Sequence, residues 1–101
     1  MSNQLAILKE KITGTERLAL YHFPYCPFCV QVNSRIEQLG LDIDQRDIRR
    51  DRAFAEELFQ GGGRYTVPCL RITPPNGGVA WLYESRDIVD YLEYYVSASS
   101  V

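Results

Sequence analysis

The stretch FPYCPFC at residues 23–29 places two cysteines three positions apart, with a proline directly after the first. It overlaps the apolar and aromatic run RLALYHF at 17–23, which predicts a buried strand that ends at Pro24. From Pro27 onward the apolar residues recur at helical spacing, and Gly40 supplies a stop signal. A strand, a C-x-x-C motif and a helix are therefore predicted to follow one another directly.

The segments after this helix predict a sheet that is only partly parallel. LDIDQRDI at 41–48 alternates as a second strand, which we expect to lie parallel to the first because a helix connects them. RRDRAFAEELFQ at 49–60 predicts a second helix, and the three glycines at 61–63 end it. VPCLRI at 67–72 and VAWLYE at 79–84 predict two further strands.

The last two strands are expected to form a hairpin that leads into a third helix. Asn76-Gly77 favours a type I′ turn, which needs positive φ at both central residues and makes the strands antiparallel. SRDIVDYLEYYV follows, with Ser85 as the N-cap and Asp87 in the first turn. The order βαβαββα, with a C-x-x-C at the start of its first helix, predicts an α/β, thioredoxin-like fold with a four-stranded mixed sheet and flanking helices.

One further helix precedes this arrangement. Leu5, Leu8 and Ile12 recur at helical spacing, so residues about 3–13 predict an amphipathic helix that Gly14 closes. We therefore divide the chain into an N-terminal helical extension at 1–16 and a thioredoxin-like domain at 17–101.

Charge and composition argue against several classes of protein. The 101 residues carry a net charge of −2, and the short cluster Arg49, Arg50 and Arg52 is interpreted as a solvated helix start, so no nucleic-acid partner is expected. The first residues lack the pattern of a signal peptide, and no apolar run approaches the ~20 residues that span a bilayer. We expect a cytoplasmic monomer without membrane contact.

The two cysteines of the C-x-x-C can be a redox pair, metal ligands or packed thiols. At the start of a helix, Cys26 would face unpaired backbone N–H groups, which stabilise a thiolate, and the pKa of cysteines in such places falls from about 8.5 to roughly 3.5–7.5. Cys29, one turn later, would lie deeper, so we predict that Cys26 attacks and Cys29 resolves. A zinc site needs four ligands, for which only Cys69 and His22 remain, so no metal site is predicted.

The stretch TVP at 66–68 is the second informative segment. A proline at the first position of a strand is tolerated and carries little information alone. Together with the upstream C-x-x-C it predicts a cis Val67-Pro68 bond, which would turn the backbone of Val67 toward Cys26. An extended peptide can then pair with that backbone as an added strand.

Three motifs together, YCPFC, GGGRYTVP and LYESRDIVDYL, resemble the glutaredoxin family, and in particular the glutaredoxins related to the N-terminal domain of glutathione transferases. The resemblance covers residues about 17–96. It implies that Cys26 forms a mixed disulfide with glutathione, and that Thr66, Val67 and Pro68 contribute to the glutathione site. Glu84 and Ser85 would hold the γ-glutamyl amino and carboxylate groups, a role that suits an acid beside a helix N-terminus.

One position departs from the family's pattern. Many glutaredoxins carry a lysine three positions before the first cysteine, where it holds the glycine carboxylate of glutathione, and this chain has Phe23. Arg64 is the candidate replacement, and Tyr25 is expected to shape the rim of the site. We interpret His22 as a structural histidine and Cys69 as a core residue, with a regulatory thiol as the alternative for Cys69.

Three functions follow from this resemblance. The leading one is a glutaredoxin that reduces protein-glutathione mixed disulfides and protein disulfides, with glutathione as the reducing co-substrate and no tightly bound cofactor. The second is a carrier in which Cys26 of two subunits and two glutathiones ligate a [2Fe-2S] cluster, against which Pro27 argues. The third is a glutathione-binding, transferase-like domain, against which the short chain argues.

Overall fold

A computed structural model describes residues 3–99 and shows four helices and four strands in that part of the chain. The ends of the two expected domains, at 1–2 and 100–101, lie outside the described residues. In chain order the elements are α1 (Asn3–Glu10), β1 (Arg17–His22), α2 (Pro27–Gln38), β2 (Asp44–Asp47), α3 (Arg52–Gly62), β3 (Cys69–Thr73), β4 (Ala80–Leu82) and α4 (Ser85–Ser99).

The four strands form one mixed sheet in the order β2-β1-β3-β4. Strand β1 is parallel to β2, as expected for strands that a helix connects, and antiparallel to β3. Strand β4 is antiparallel to β3. The thioredoxin-like βαβαββα arrangement with a preceding helix, α1, is confirmed.

The two faces of the sheet pack against different neighbours. One face contributes Leu20, Leu70 and Leu82, all nearly inaccessible to solvent, to an apolar core that also contains Val32 from α2 and Leu92 from α4. Burying one such side chain stabilises the fold by roughly 1.5–3 kcal/mol. The other face carries a smaller cluster of Ala19, Tyr21, Leu58 and Cys69 beneath α3.

Helix α3 differs from its predicted bounds at both ends. It begins at Arg52 because the carboxylate of Asp51 accepts a hydrogen bond from the N–H of Ala53 (2.9 Å) and caps the helix. It also continues through Gly61 and Gly62 and ends at Gly63, whose φ of 90° forms a left-handed C-cap. The prediction that all three glycines break the helix was therefore wrong for the first two.

The first two glycines have a packing role instead. A Cβ at Gly61 would collide with the indole ring of Trp81, and one at Gly62 would collide with the hydroxyl of Tyr83. Helix α3 therefore approaches the chain around β4 so closely that no side chain fits between them.

The β3–β4 connection does not contain the expected type I′ turn. Positive φ occurs at Gly77 and Gly78, and Asn76 does not share it. The N–H of Gly77 bonds to the C=O of Pro74 (3.2 Å), which closes a turn with Pro75 and Asn76 at its centre. Gly77 and Gly78 continue the chain toward β4 with positive φ, and the two strands are antiparallel as predicted.

The N-cap of helix α4 lies one residue before the predicted one. Its first hydrogen bond runs from the N–H of Ile88 to the C=O of Glu84 (2.8 Å), so Glu84 occupies the N-cap position and Ser85 is the first helical residue. The prediction of Ser85 as N-cap was wrong by one position. Asp87 lies in the first turn, as expected.

Candidate functional site

The segments that the sequence singled out meet at one end of the sheet. Tyr21 near the end of β1 pairs with Cys69 at the start of β3, and Leu70 pairs with Leu82 at the end of β4. The chain after β1, before β3 and after β4 therefore leaves the sheet at the same end. This end brings together the C-x-x-C, the TVP segment and the start of α4.

Cys26 caps helix α2. Its backbone is extended, with φ −84° and ψ 118°, and its Sγ accepts a hydrogen bond from the N–H of Cys29 at 3.4 Å. Pro27 takes the first helical position, where its missing N–H costs no intrahelical bond. The sulfur of Cys26 thus stands at the end of the helix where backbone N–H groups favour negative charge.

Cys29 occupies a different environment one turn later. Its side chain is only 1% exposed, compared with 8% for Cys26, and all three cysteines are free thiols. Burial, reinforced by the hydrogen bond to Cys26, raises the pKa of Cys29 to about 12. Cys29 therefore stays protonated at neutral pH.

The TVP segment forms the second part of the site. The Val67-Pro68 peptide is cis, as predicted. Val67 precedes β3 and takes no part in the pairing of that strand, which begins at Cys69. Thr66 is exposed, Val67 is half-buried and Pro68 is buried, so the accessible part of this segment is Thr66 and Val67.

Arg64 is held beside the same loop by Tyr83. The guanidinium carbon lies 4.3 Å from the centre of the Tyr83 ring, and the Tyr83 hydroxyl donates to the C=O of Arg64 at 3.3 Å. Cys69, fully buried next to them, has its pKa raised to about 12 by burial, which outweighs the opposite effect of a hydrogen bond with Tyr83. Its burial agrees with the interpretation as a core residue.

The remaining predicted residues form the rim. Glu84 is exposed and Ser85 half-buried at the start of α4. Tyr25 is 86% exposed beside Cys26. Phe28 is also exposed, and Phe59 stacks on Tyr65 with ring centres 4.6 Å apart. Tyr25 and Phe28, the neighbours of Cys26 and Pro27 in sequence, are therefore exposed aromatic side chains next to a nearly buried sulfur.

Sequence reasoning missed Arg49. Its guanidinium carbon lies 4.5 Å from the centre of the Phe23 ring, at the position where many glutaredoxins carry a lysine. The signal was available in the predicted parallel pairing of β1 and β2, since His22 pairs with Asp47 and residues after the two strands become neighbours. The arginine cluster was interpreted as a solvated helix start, and Arg49 is exposed before α3 while its guanidinium group also lies over Phe23.

His22, at the end of β1, carries a buried Nδ1 without a hydrogen-bond partner among the described residues. Burial lowers its pKa, and the nearby charge of Asp47 opposes this only in part. The ring is therefore neutral near pH 7, which agrees with its interpretation as a structural histidine.

Residues 3–99 contain neither a cluster of metal ligands nor a membrane-spanning helix. No group of three or more His, Cys, Asp or Glu side chains is arranged to hold a metal ion there. None of the helices in this range combines the length and the apolar character that crossing a bilayer requires.

The glutathione S-transferase N-terminal domain family model matches residues 20–99 of the chain. This match confirms the relation to the N-terminal domain of glutathione transferases that the sequence motifs indicated. A search of curated protein sequences found no match.

Solved structures share the fold. A wheat glutaredoxin superposes with a TM-score of 0.60 at 24% identity, covering 94% of this chain and 92% of its own. The holo form of glutaredoxin C1 from Populus tremula × tremuloides gives 0.62 at 19%, covering 98% and 100%. A maleylacetoacetate isomerase from Anaeromyxobacter dehalogenans, with bound dicarboxyethyl glutathione, gives 0.59 at 22%, covering 77% of this chain and 36% of the isomerase.

Proposed function

The chain belongs to the glutathione S-transferase N-terminal domain family, and from that premise we propose that it is a glutathione-dependent thiol-disulfide oxidoreductase of the glutaredoxin type. The observation that carries the proposal is the asymmetry of the two thiols. Cys26 Sγ accepts a backbone N–H at the start of α2, whereas Cys29 is buried and holds its proton. Cys26 would therefore act as the nucleophile, and Cys29 would remain a protonated thiol during this first step.

The proposed binding site for glutathione consists of groups around Cys26. The backbone of Val67, unused by the sheet, would pair with the cysteinyl part of glutathione. The N–H groups and hydroxyl at the start of α4 would receive the γ-glutamyl carboxylate, and Glu84 would receive its ammonium group. Arg49 beside Phe23 and Arg64 on Tyr83 would hold the glycine carboxylate in place of the lysine.

In the reaction with a protein-glutathione mixed disulfide, the Cys26 thiolate attacks the glutathione sulfur. The bond between Cys26 and that sulfur forms, the bond to the protein sulfur breaks, and the protein leaves as a thiol after taking up a proton. A second glutathione, as its thiolate, then attacks the glutathione sulfur on Cys26. This step releases glutathione disulfide and restores the Cys26 thiolate, so the net reaction converts the mixed disulfide and one free glutathione into the protein thiol and glutathione disulfide.

For a protein disulfide the second cysteine is required. Attack of Cys26 leaves the substrate covalently bound, and Cys29 must lose its proton and attack Cys26 Sγ to release the substrate as a dithiol. The Cys26-Cys29 disulfide is then reduced by two glutathiones. The pKa of about 12 keeps Cys29 protonated until the mixed disulfide has formed beside it.

The test is reduction of a small glutathione mixed disulfide by glutathione, coupled to glutathione reductase and followed by NADPH consumption. We expect turnover in the wild type, none in Cys26→Ser, and retained turnover in Cys29→Ser. Cys69→Ser is the matched control, because it removes a thiol that lies outside the proposed chemistry. Turnover that survives Cys26→Ser would overturn the proposal, as would a wild type without turnover that still binds glutathione.

A second candidate, a transferase-type glutathione domain, is favoured by the family match itself. In that case glutathione would be bound and its own thiolate stabilised, and Cys26 would not form a disulfide. Conjugation of glutathione to 1-chloro-2,4-dinitrobenzene distinguishes the two: conjugation that persists in Cys26→Ser supports the transferase, and its absence beside active disulfide reduction supports the oxidoreductase.

A further inference from the structure

A polar cleft lies away from the Cys26 site, on the sheet face that α3 covers only in part. It has a volume of about 220 Å³. The strand register places its residues toward the opposite end of the sheet, since Arg17 pairs with Thr73, and Ala19 pairs with both Arg71 and Asp44. The full lining is Arg17, Leu18, Ala19, Asp44, Arg46, Arg71 and Thr73.

Three arginines line this cleft, and Arg46 is the one that forms ion pairs among the described residues. Arg46 forms ion pairs with Asp44 (2.9 Å) and with Glu57 of α3 (2.6 Å). Neither Arg17 nor Arg71 forms an ion pair with any carboxylate in the described part of the chain. Counting Asp44 and Glu57 against the three arginines leaves the group one positive charge in excess, and Arg17 and Arg71 keep their guanidinium groups without an ion pair in this part of the chain.

The two inner guanidinium groups are fixed in place by one buried hydroxyl. The Tyr21 hydroxyl donates to Glu57 (2.9 Å) and accepts from Nη1 of both Arg46 and Arg71, each at 3.2 Å. Arg71 also packs over the ring of Trp81, 5.8 Å from its centre. Because Tyr21 is fully buried, Arg71 is held in one position before any ligand arrives, which lowers the entropy cost of binding.

We propose that this cleft binds a compact oxyanion, a phosphate that is either free or the monoester group of a small molecule. Guanidinium groups present planar forks that match phosphate oxygens, and Arg17 and Arg71 offer two such groups that form no ion pair in the described part of the chain. The volume of about 220 Å³ is smaller than the roughly 300–1,000 Å³ of pockets for drug-sized ligands, so the cleft suits a compact ligand. Arg17 and Arg71 would bind its oxygens, and the Thr73 hydroxyl would add a hydrogen bond.

The proposal is independent of the thiol chemistry at Cys26. It needs no oxidant, reductant or glutathione, and it would stand if the proposed function failed.

The experiment is a titration of the wild-type chain, ¹⁵N-labelled, with inorganic phosphate near pH 7.5, at an ionic strength kept constant with sodium chloride. We expect saturable amide shift changes in β1 and β3 at Arg17, Ala19, Arg71 and Thr73. Glycerol phosphate is titrated in parallel: tighter binding of the monoester identifies a phosphorylated small molecule as the ligand, and tighter binding of inorganic phosphate identifies the free ion.

Two substitutions test the assignment of the arginines. Arg17→Gln and Arg71→Gln should each weaken phosphate binding by roughly tenfold, because each removes a charge-assisted contact. Arg52→Gln, at the start of α3, changes the net charge equally outside the cleft and is the matched control. Arg17 is exposed and bonds to none of the groups that fix Arg71, so Arg17→Gln remains informative if Arg71→Gln fails to fold. The absence of saturable shifts, or equal affinity in Arg17→Gln and Arg52→Gln, would refute the site.

Discussion

Cys26 at the start of α2 and Cys69 at the start of β3 are two shielded thiols in different surroundings. Both side chains are largely shielded, with 8% and 0% of their surface exposed, and both lie at the same end of the sheet. Cys26 meets a backbone N–H at the end of a helix, whereas Cys69 is enclosed by the sheet and the cluster beneath α3. The start of a helix gives Cys26 a backbone N–H that favours a thiolate, whereas complete burial raises the pKa of Cys69 to about 12.

Alkylation of the native protein tests this difference directly. At about pH 8 a thiol with a pKa of about 12 is ionised in about one molecule in ten thousand, so Cys29 and Cys69 should react with iodoacetamide very slowly. We expect Cys26 to be labelled at least roughly a hundredfold faster. Peptide mapping by mass spectrometry gives the three rates, and unfolding in guanidinium should make them similar. Rapid labelling of Cys69 in the folded protein would show that the surroundings of Cys26 and Cys69 do not make the two thiols differ in reactivity.

Alanine substitutions should separate stability from activity. Cys69→Ala leaves a small cavity in a buried cluster and should lower the free energy of unfolding by roughly 1–2 kcal/mol, with kcat/KM unchanged. Cys26→Ala removes a capping acceptor, at a cost of about 0.5–1 kcal/mol, and should abolish turnover. Urea unfolding and the coupled assay measure both quantities. If Cys69→Ala lost turnover while remaining folded, Cys69 would belong to the site.

Arg49→Gln examines the charge beside the C-x-x-C. Removing an exposed cation near Phe23 should raise the KM for glutathione roughly threefold, the effect of one surface ion pair, with little change in kcat. The effect should shrink as salt is added. Arg52→Gln, from the same cluster, is the matched control. An equal KM change in both variants would assign the effect to net charge rather than to position.

His22 differs from Cys26 in its hydrogen bonding. Cys26 Sγ accepts a backbone N–H, whereas the buried Nδ1 of His22 has no hydrogen-bond partner among residues 3–99. Because burial lowers its pKa below the ordinary 6.5, the neutral ring contributes stability above about pH 6.5, and this stability is lost as the pH falls through the lower folded-state pKa. We expect the smallest effect here. The urea midpoint of the wild type should fall more steeply with acidification than that of His22→Gln, and parallel curves would show that His22 does not titrate in this way.

The sequence predicted those parts of the fold that depend on neighbouring residues. Pro24, Gly40 and the alternating apolar runs mark strands and helices locally, so the element order and the position of the C-x-x-C at a helix start followed from the pattern. The cis peptide at Val67-Pro68 followed from two motifs considered together.

The errors all involve contacts between distant segments or choices among equivalent residues. Gly61 and Gly62 remain helical because Trp81 and Tyr83 pack against them from another part of the chain. In the hairpin, Asn76, Gly77 and Gly78 are consecutive residues that can all adopt positive φ. The prediction assigned positive φ to Asn76 and Gly77, and the structure has it at Gly77 and Gly78. The contact of Arg49 with Phe23 was not predicted because it depends on which residues follow the neighbouring parallel strand.

Trp81 gives the molecule a built-in optical reporter. It is the chain's single tryptophan, so all of the long-wavelength ultraviolet emission originates at one point of the sheet. Its ring lies 5.4 Å from the ring of Tyr21, contacts α3 where Gly61 leaves room, and lies under the charge of Arg71. Undocking of α3 or displacement of Arg71 would alter the polarity around this one indole, so the intensity and wavelength of its fluorescence would record events on this face without an added dye.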